Sequence, residues 1–256
     1  MADEVLCALA DGIATVTLNR PDKRNALDTA LLTGLRRHFD ALEGNRDVRV
    51  VVVRAAGTAF CSGMDLDDLS QRQSQDGDPE QPVIDAFQQI EQSRHPTIAM
   101  VHGPAYAGGC ELALHCDFRI AADVARFAMP LARLGVMLPF PLTHKMVEIV
   151  GPAQAREILL GGRPVEARRA FEIGMVHQVV PAAELEAATD TLARWIAGHA
   201  PLALAGIKAT ILRATPRRDA DHADLDRTLR QVRRSADARE GVRAMLEKRP
   251  PVFRGE

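Results

Sequence analysis

The run Val48-Arg49-Val50-Val51-Val52-Val53 constrains this chain more than any other stretch. A strand with one wet face alternates apolar and polar residues, because successive side chains point to opposite sides. Consecutive valines leave neither side for water. The run therefore reads as a strand buried on both faces, the position of a parallel strand in a sheet covered by helices. "PTIAMVHG" (96–103) and "DFRIAA" (117–122) read as further strands, and glycine-bearing loops and helical patterns separate the three. This β–loop–helix rhythm implies stacked right-handed βαβ-type turns and an α/β fold.

Around that core, "VLCALADGIATVTLN" (5–19) reads as two strands turned at Asp11-Gly12, a two-residue hairpin signal. "RPDKRNALD" (20–28) connects to a helix for which Asp28 is the expected N-cap. Leu27, Leu31, Leu35, Phe39 and Leu42 form one apolar stripe along it. Residues 54–69 read as a loop feeding a short helix. The polar segment 70–82 is expected to be mobile, with a helix near 83–94. From about 141 onward the chain is expected to be mainly helical, with two helices parted at Pro201. A linker at 215–222 leads into a last amphipathic helix bearing Leu225, Leu229 and Val232. The expected division is a core at 1–200 and a helical part at 201–256, whose stripes would be buried against another subunit.

Composition excludes several classes of partner. A net charge of −2 and 4% aromatic residues provide neither a basic surface nor stacking platforms, so no nucleic acid is expected. Cys7, Cys61, Cys110 and Cys116 lack zinc-site spacing, so no metal is expected. No apolar run approaches the ~20 residues of a membrane span, and the acidic, turn-broken start is unlike a targeting peptide. No membrane partner and a cytoplasmic location are the resulting expectations.

Two loops carry the candidate chemistry. "CSGMD" (61–65) and "AGGCE" (107–111) each follow a strand, contain glycine and open a helix whose first amides lack internal partners. Facing one another, the Met64 and Gly108 amides would grip one carbonyl oxygen. Spacing alone does not bring the loops together, and an ordinary helix start accounts for each separately. Glu111 stands against Leu112, Ala113 and Leu114, where an unpartnered carboxylate would cost several kcal/mol. Either the helix start satisfies it or a dry pocket needs it. Ser62 and Cys61 lack a recognisable His/Asp pair for nucleophilic work, and Asp65 and Asp67 read as helix caps.

"FCSGMDLDDL" (60–69) resembles the crotonase superfamily pattern F-x-[AS]-G-x-D-[LI], and "VHGPAYAGGCELALHCDFRIAA" (101–122) resembles its N-G-x-A-x-G-G-G-x-E-L-x-x-x-C-D motif. "TVTLNRPDKRNALD" (15–28) and "MLEKRPPVFRGE" (245–256) are also similar to the enoyl-CoA hydratase/isomerase family, so the resemblance spans nearly the whole chain. It implies the crotonase fold, an α/β fold of repeated ββα turns with a helical C-terminal trimerisation part, assembled as a homotrimer or a dimer of trimers. It also implies an acyl-CoA thioester as substrate, with no further cofactor. The thioester carbonyl would lie between the Met64 and Gly108 amides. Lys23, Arg24 and Ala26 would run along the CoA, cupped by Met64, Asp65, Leu66 and Asp67.

By the same resemblance Glu111 falls on one of two glutamates that hydratases of the family use. The second is replaced by Leu131 in "AMPLARLGVML" (128–138), and an aspartate that other members place eight residues on is Pro139. The usual Pro-Gly-x-Gly-Gly is replaced by "LPFPL" (138–142). Adding water needs one group to accept a proton and another to donate one. A lone glutamate suits the shuttling of a single proton, and Leu131, Leu138 and Phe140 would keep the wall dry. Isomerisation or hydration of an enoyl-CoA through Glu111 is the expected activity. Other crotonase chemistry (cleavage, decarboxylation, hydrolysis) and non-catalytic acyl-CoA binding remain alternatives.

Overall fold

Asp11 and Gly12, at φ 50° and 78°, turn the chain between β1 (Val5–Ala10) and β2 (Ile13–Leu18). Positive φ at both positions matches the right-handed twist of the paired strands. The structure is a computed structural model that describes residues 3–73, 80–215 and 223–254. Helix α1 (Thr29–Glu43) starts where the Asp28 carboxylate accepts the Leu31 N–H at 2.8 Å, and buries Leu31, Leu35, Phe39 and Leu42. Leu27 lies just before the helix and is equally buried.

Strand β3 (Val50–Ala55) runs parallel to β2 on one side and to β4 (Thr97–Val101) on the other. Its alternate residues enter two different cores. Val51 and Val53 join the cluster of Leu31, Leu35, Phe39 and the helix α3 (Gln81–Gln92), while Val50 and Val52 join Ile98, Ile120, Leu185 and Ile196. This double burial explains the continuous valine run. β6 (Phe118–Ala122) and β9 (Gln178–Val180) complete a six-stranded sheet in the order β1-β2-β3-β4-β6-β9. Three short strands, β5 (Ala105–Tyr106), β7 (Arg126–Ala128) and β8 (Val165–Glu166), form a second sheet.

The polar segment is helical at both ends: α2 (Leu66–Gln73) extends through 70–73 and α3 begins at Gln81. The expected mobility at 74–79, and all of the expected linker beyond Thr215, lie outside the described residues. α4 (Gly108–Leu114) follows the second glycine loop. The region after 141 is mainly helical, as expected, with α5 (Phe140–Gly161), α6 (Ala167–Glu172), α7 (Leu185–Ala197) and α8 (Pro201–Ala214). It also holds β8 and β9, too short to announce themselves by periodicity. α8 is fastened beneath the sheet by Lys208, whose Nζ donates to Asp117 at 2.7 Å and to His95 O at 3.0 Å. No single helix among the described residues is long and apolar enough to cross a membrane.

The last amphipathic segment is two helices, α9 (Ala223–Arg234) and α10 (Ala236–Leu246), parted at Ser235, whose hydroxyl caps α10. Part of this apolar surface is used within the chain, while Leu225, Met245 and Leu246 stay exposed. Leu229, Ala238 and Ala244 are buried, and α10 closes on the chain's own 3-10 turn at Leu131–Leu134. The fit leaves no room for side chains. A Cβ on Gly241 would overlap the Leu134 carbonyl and lie 2.8 Å from its Cα, while one on Gly135 would lie 2.6 Å from Asp237 O. Gly241→Ala is therefore expected to destabilise the fold by about 1–3 kcal/mol, measured as a fall in melting temperature.

Candidate active site

The two glycine loops meet. Isolated bridges pair Leu27 with Met64 and Cys61 with Ala105, lacing three segments side by side. Gly63, at φ 99°, approaches so closely that a Cβ would lie 3.0 Å from Ala107 Cβ and 3.4 Å from Gly108 N. A Cβ on Gly108 would lie 3.7 Å from Gly63 Cα, and one on Gly109 would overlap the Cys61 carbonyl. Glycine is required here because two backbones touch.

Each candidate amide has its peptide plane set by a bond on the opposite side. The Gly63 carbonyl accepts the Leu27 N–H at 2.8 Å, and in a trans peptide the Met64 N–H then points away from Leu27. At the second loop, Ala107 donates its own N–H to Ala128 O at 2.8 Å and accepts the Glu111 N–H at 3.1 Å. The Gly108 N–H is thus the outward amide of the α4 N-terminus, where partial positive charge collects. Among the described residues neither the Met64 nor the Gly108 N–H donates a hydrogen bond. Ala107 holds φ 47° and ψ −117°, a conformation foreign to alanine. Such a residue stores about 1–3 kcal/mol, and strain of this kind clusters at functional positions.

Glu111 lies in the first turn of α4 and is wholly buried. His115, one turn on, is also buried; its Nδ1–H donates to the Glu111 carbonyl at 2.8 Å and sits 3.9 Å from Glu111 Oε2. The ring leans on Phe87 of α3, centroids 5.3 Å apart. The imidazole, backed by Phe87, thus stands beside the buried carboxylate.

The other residues singled out by sequence divide into two groups. Lys23 and Arg24 are exposed at the end of a 3-10 turn, Pro21–Lys23, on the loop that carries buried Ala26 beside Met64. Asp65 caps α2, accepting the Asp67 N–H at 3.1 Å, while Leu66 and Asp67 occupy the first turn; Asp67 itself is exposed and caps no helix among the described residues. Burial raises the Asp65 carboxyl, but its bond from Arg20 and the Asp68 and Asp67 amides outweigh that and hold it below the usual aspartate value. Leu131, in the 3-10 turn, and Leu138 pack into the core cluster shared by Leu112 of α4, and half-buried Phe140 opens α5, which lies along α4. Cavities of about 430 and 610 Å³ open elsewhere, near Arg94 and Leu202 and near Arg163 and Glu166, and no residue of the glycine loops lines them. The candidate site is a seam between loops and not one of these bowls.

Sequence reasoning missed Arg20 and Asn25. Asn25 is fully buried at φ 54°; its amide donates to Ala56 O and Ala59 O at 2.8 and 2.9 Å and its Oδ1 accepts the Arg20 N–H. Arg20 joins Asp65, Asp28 and Ala26. Both looked like solvated polar residues of a connection, and only the asparagine beside a turn, a type that tolerates positive φ, offered a signal. Among the described residues no three His, Cys, Asp or Glu side chains group as a metal site would require.

Residues 9–256 match the family described as enoyl-CoA hydratase/isomerase. The chain belongs to that family. It is 32% identical to the 2,3-dehydroadipyl-CoA hydratase of Escherichia coli strain K12, covering 98% of this chain and 99% of the relative. It is also 32% identical to the 1,2-epoxyphenylacetyl-CoA isomerase of the same strain, covering each chain completely. Among solved structures it resembles methylmalonyl-CoA decarboxylase, with a TM-score of 0.89 and 28% identity over the whole of both chains. The fold is the crotonase fold, and the family's relatives act as hydratases, isomerases and decarboxylases of CoA thioesters.

Proposed function

We propose that this enoyl-CoA hydratase/isomerase family member holds the thioester carbonyl of an acyl-CoA between the Met64 and Gly108 amides and uses Glu111 as its acid/base. The convergence of Gly63 with Gly108, one helical turn from a buried glutamate, carries the reading. Two amides aimed at one oxygen stabilise the enolate formed when the α-carbon loses a proton, and one such donor is typically worth about 3 kcal/mol. Lys23, Arg24 and Ala26 would lie along the CoA, with Asp65, Leu66 and Asp67 closing over it. The thioester itself supplies the activating group, so the reaction needs no cofactor.

Leu131 stands where a second acid would complete a hydratase. The favoured reaction is therefore migration of a double bond: Glu111 takes a proton from C2 of a 3-enoyl thioester and returns it at C4, giving the 2-enoyl thioester. Leu131, Leu138 and Phe140 keep water from the enolate. The fold likeness to a decarboxylase favours a second reading, loss of carbon dioxide from a carboxyacyl-CoA, which uses the same enolate and no second acid.

Mass spectrometry of 2-enoyl-, 3-enoyl- and carboxyacyl-CoA thioesters incubated with the protein in heavy water separates these readings. Deuterium incorporation with a shifted double bond and no added water is the expected result. Addition of water would make the chain a one-glutamate hydratase, and loss of the mass of carbon dioxide would establish the second reading. Binding without any of these changes would make it an acyl-CoA binding protein. The exposed Leu202, Ile207 and Ile211 on α8 support assembly as a homotrimer or a dimer of trimers, which light scattering measures.

A further inference from the structure

A single arginine joins the proposed CoA-binding loop to the proposed oxyanion amide. Arg20 Nη1 donates to Asp65 Oδ2 and to Ala26 O, both at 2.9 Å, and Nη2 meets Asp28 Oδ2 at 3.0 Å. Glu4 Oε1 stands 3.6 Å from Nε. The two loops are also stitched by backbone: Ser62 N–H to Arg24 O, Leu27 N–H to Gly63 O and Asp65 N–H to Leu27 O, at 3.1, 2.8 and 3.0 Å. Met64 lies between the last two stitches. Its N–H can turn only if the Gly63 carbonyl leaves Leu27 or Asp65 shifts, and Arg20 opposes both by clamping Asp65 to the carbonyl of Ala26.

We infer that Arg20, through its forked bond to Asp65 and Ala26, is a positioning residue that aims the Met64 amide at the thioester oxygen and couples that aim to occupancy of the Lys23–Ala26 loop by CoA. The inference rests on the oxyanion reading above. Arg20 touches no reacting atom; it acts by fixing a peptide plane. Guanidinium geometry matters because one planar group bonds Asp65 and Ala26 through Nη1 while Nη2 holds Asp28, which the single ammonium of lysine does less well. Misplacement of an aligned group by about 1 Å costs up to about a hundredfold in rate.

The test uses a chromophoric cinnamoyl-type CoA thioester, whose absorbance moves to the red when its carbonyl is polarised, together with steady-state kinetics. Bound wild-type protein is expected to give the red shift. Arg20→Gln is expected to bind the thioester within about threefold, lose most of the red shift and lose about tenfold to a hundredfold in kcat, with Arg20→Lys recovering part of each. Removing Arg20 leaves Glu4, Asp28 and Asp65 facing one another, so Asp65→Asn provides the deciding variant where Arg20→Gln does not fold. It retains an oxygen to cap α2, loses the charge that grips Arg20, and is expected to show the same loss of red shift. A full red shift and unchanged kcat in folded Arg20→Gln or Asp65→Asn would overturn the inference. Absence of a red shift in the wild-type complex would instead overturn the oxyanion reading, and the inference with it.

Discussion

Glu111→Gln is expected to lower turnover by about 10²–10⁴-fold while leaving acyl-CoA affinity nearly unchanged. Glutamine retains the shape and hydrogen-bonding length of glutamate, but its amide can neither accept the substrate proton nor return one. Glu111 is enclosed in the first turn of α4, with His115 bonded to its main-chain carbonyl, so the substituted side chain has little freedom to turn elsewhere. Binding is expected to survive because, in the proposed mode, main-chain amides hold the carbonyl and the 23–26 loop holds the CoA. Deuterium exchange into the thioester measures the chemical step, and calorimetry with a saturated acyl-CoA measures binding. Retained exchange would remove Glu111 from the mechanism. Equal losses of binding and exchange would make it a structural carboxylate serving the helix start.

Gly109→Ala is expected to be among the most damaging single-methyl changes in the chain. In a helix this substitution ordinarily gains about 1 kcal/mol. Here the added carbon would overlap the Cys61 carbonyl and lie 2.7 Å from Cys61 C and Cβ, a contact with backbone that no rotamer relieves. Cys61 O also accepts the Tyr106 N–H at 2.9 Å, so pushing it away opens the stitch between the loops. Overpacking of about 1–3 kcal/mol or more should outweigh the helical gain, and catalytic rate should fall with stability because the Met64 and Gly108 amides separate. Gly206 of α8, where an added methyl would meet nothing within 4 Å, is the matched control. Its change to alanine is expected to stabilise by up to about 1 kcal/mol without altering rate. Thermal denaturation and kcat for both variants check this; a stable, active Gly109→Ala would mean the loops can part without loss.

What the sequence disclosed follows from how local each signal is. The valine run announces two buried faces by itself, and Asp11-Gly12 and Asp28 act within four residues of their own positions. The Glu111 helix start is likewise legible in the few residues around it. The convergence of Gly63 with Gly108 depends on parallel neighbours β3 and β4 carrying their loops out at the same end of the sheet, which becomes visible only with register. β9 is three residues long, and its place at the sheet edge is decided by pairing with β6. Arg20 and Asn25 are polar residues in a polar stretch, and nothing local distinguishes an arginine facing three carboxylates from one facing water. The in-chain use of α10 was hidden for a similar reason: Gly135 and Gly241 look like separate breaks until they are found facing each other's backbones.

The grip of α10 on the Leu131–Leu134 turn also imposes an order in time. About a hundred residues separate the two partners along the chain. At roughly 5–20 residues per second, a ribosome delivers the turn on the order of ten seconds before the helix that covers it. During that interval the Leu134 backbone lacks the close contact that Gly241 provides. Closure of α10 on this turn thus comes after synthesis of the sheet and of both glycine loops.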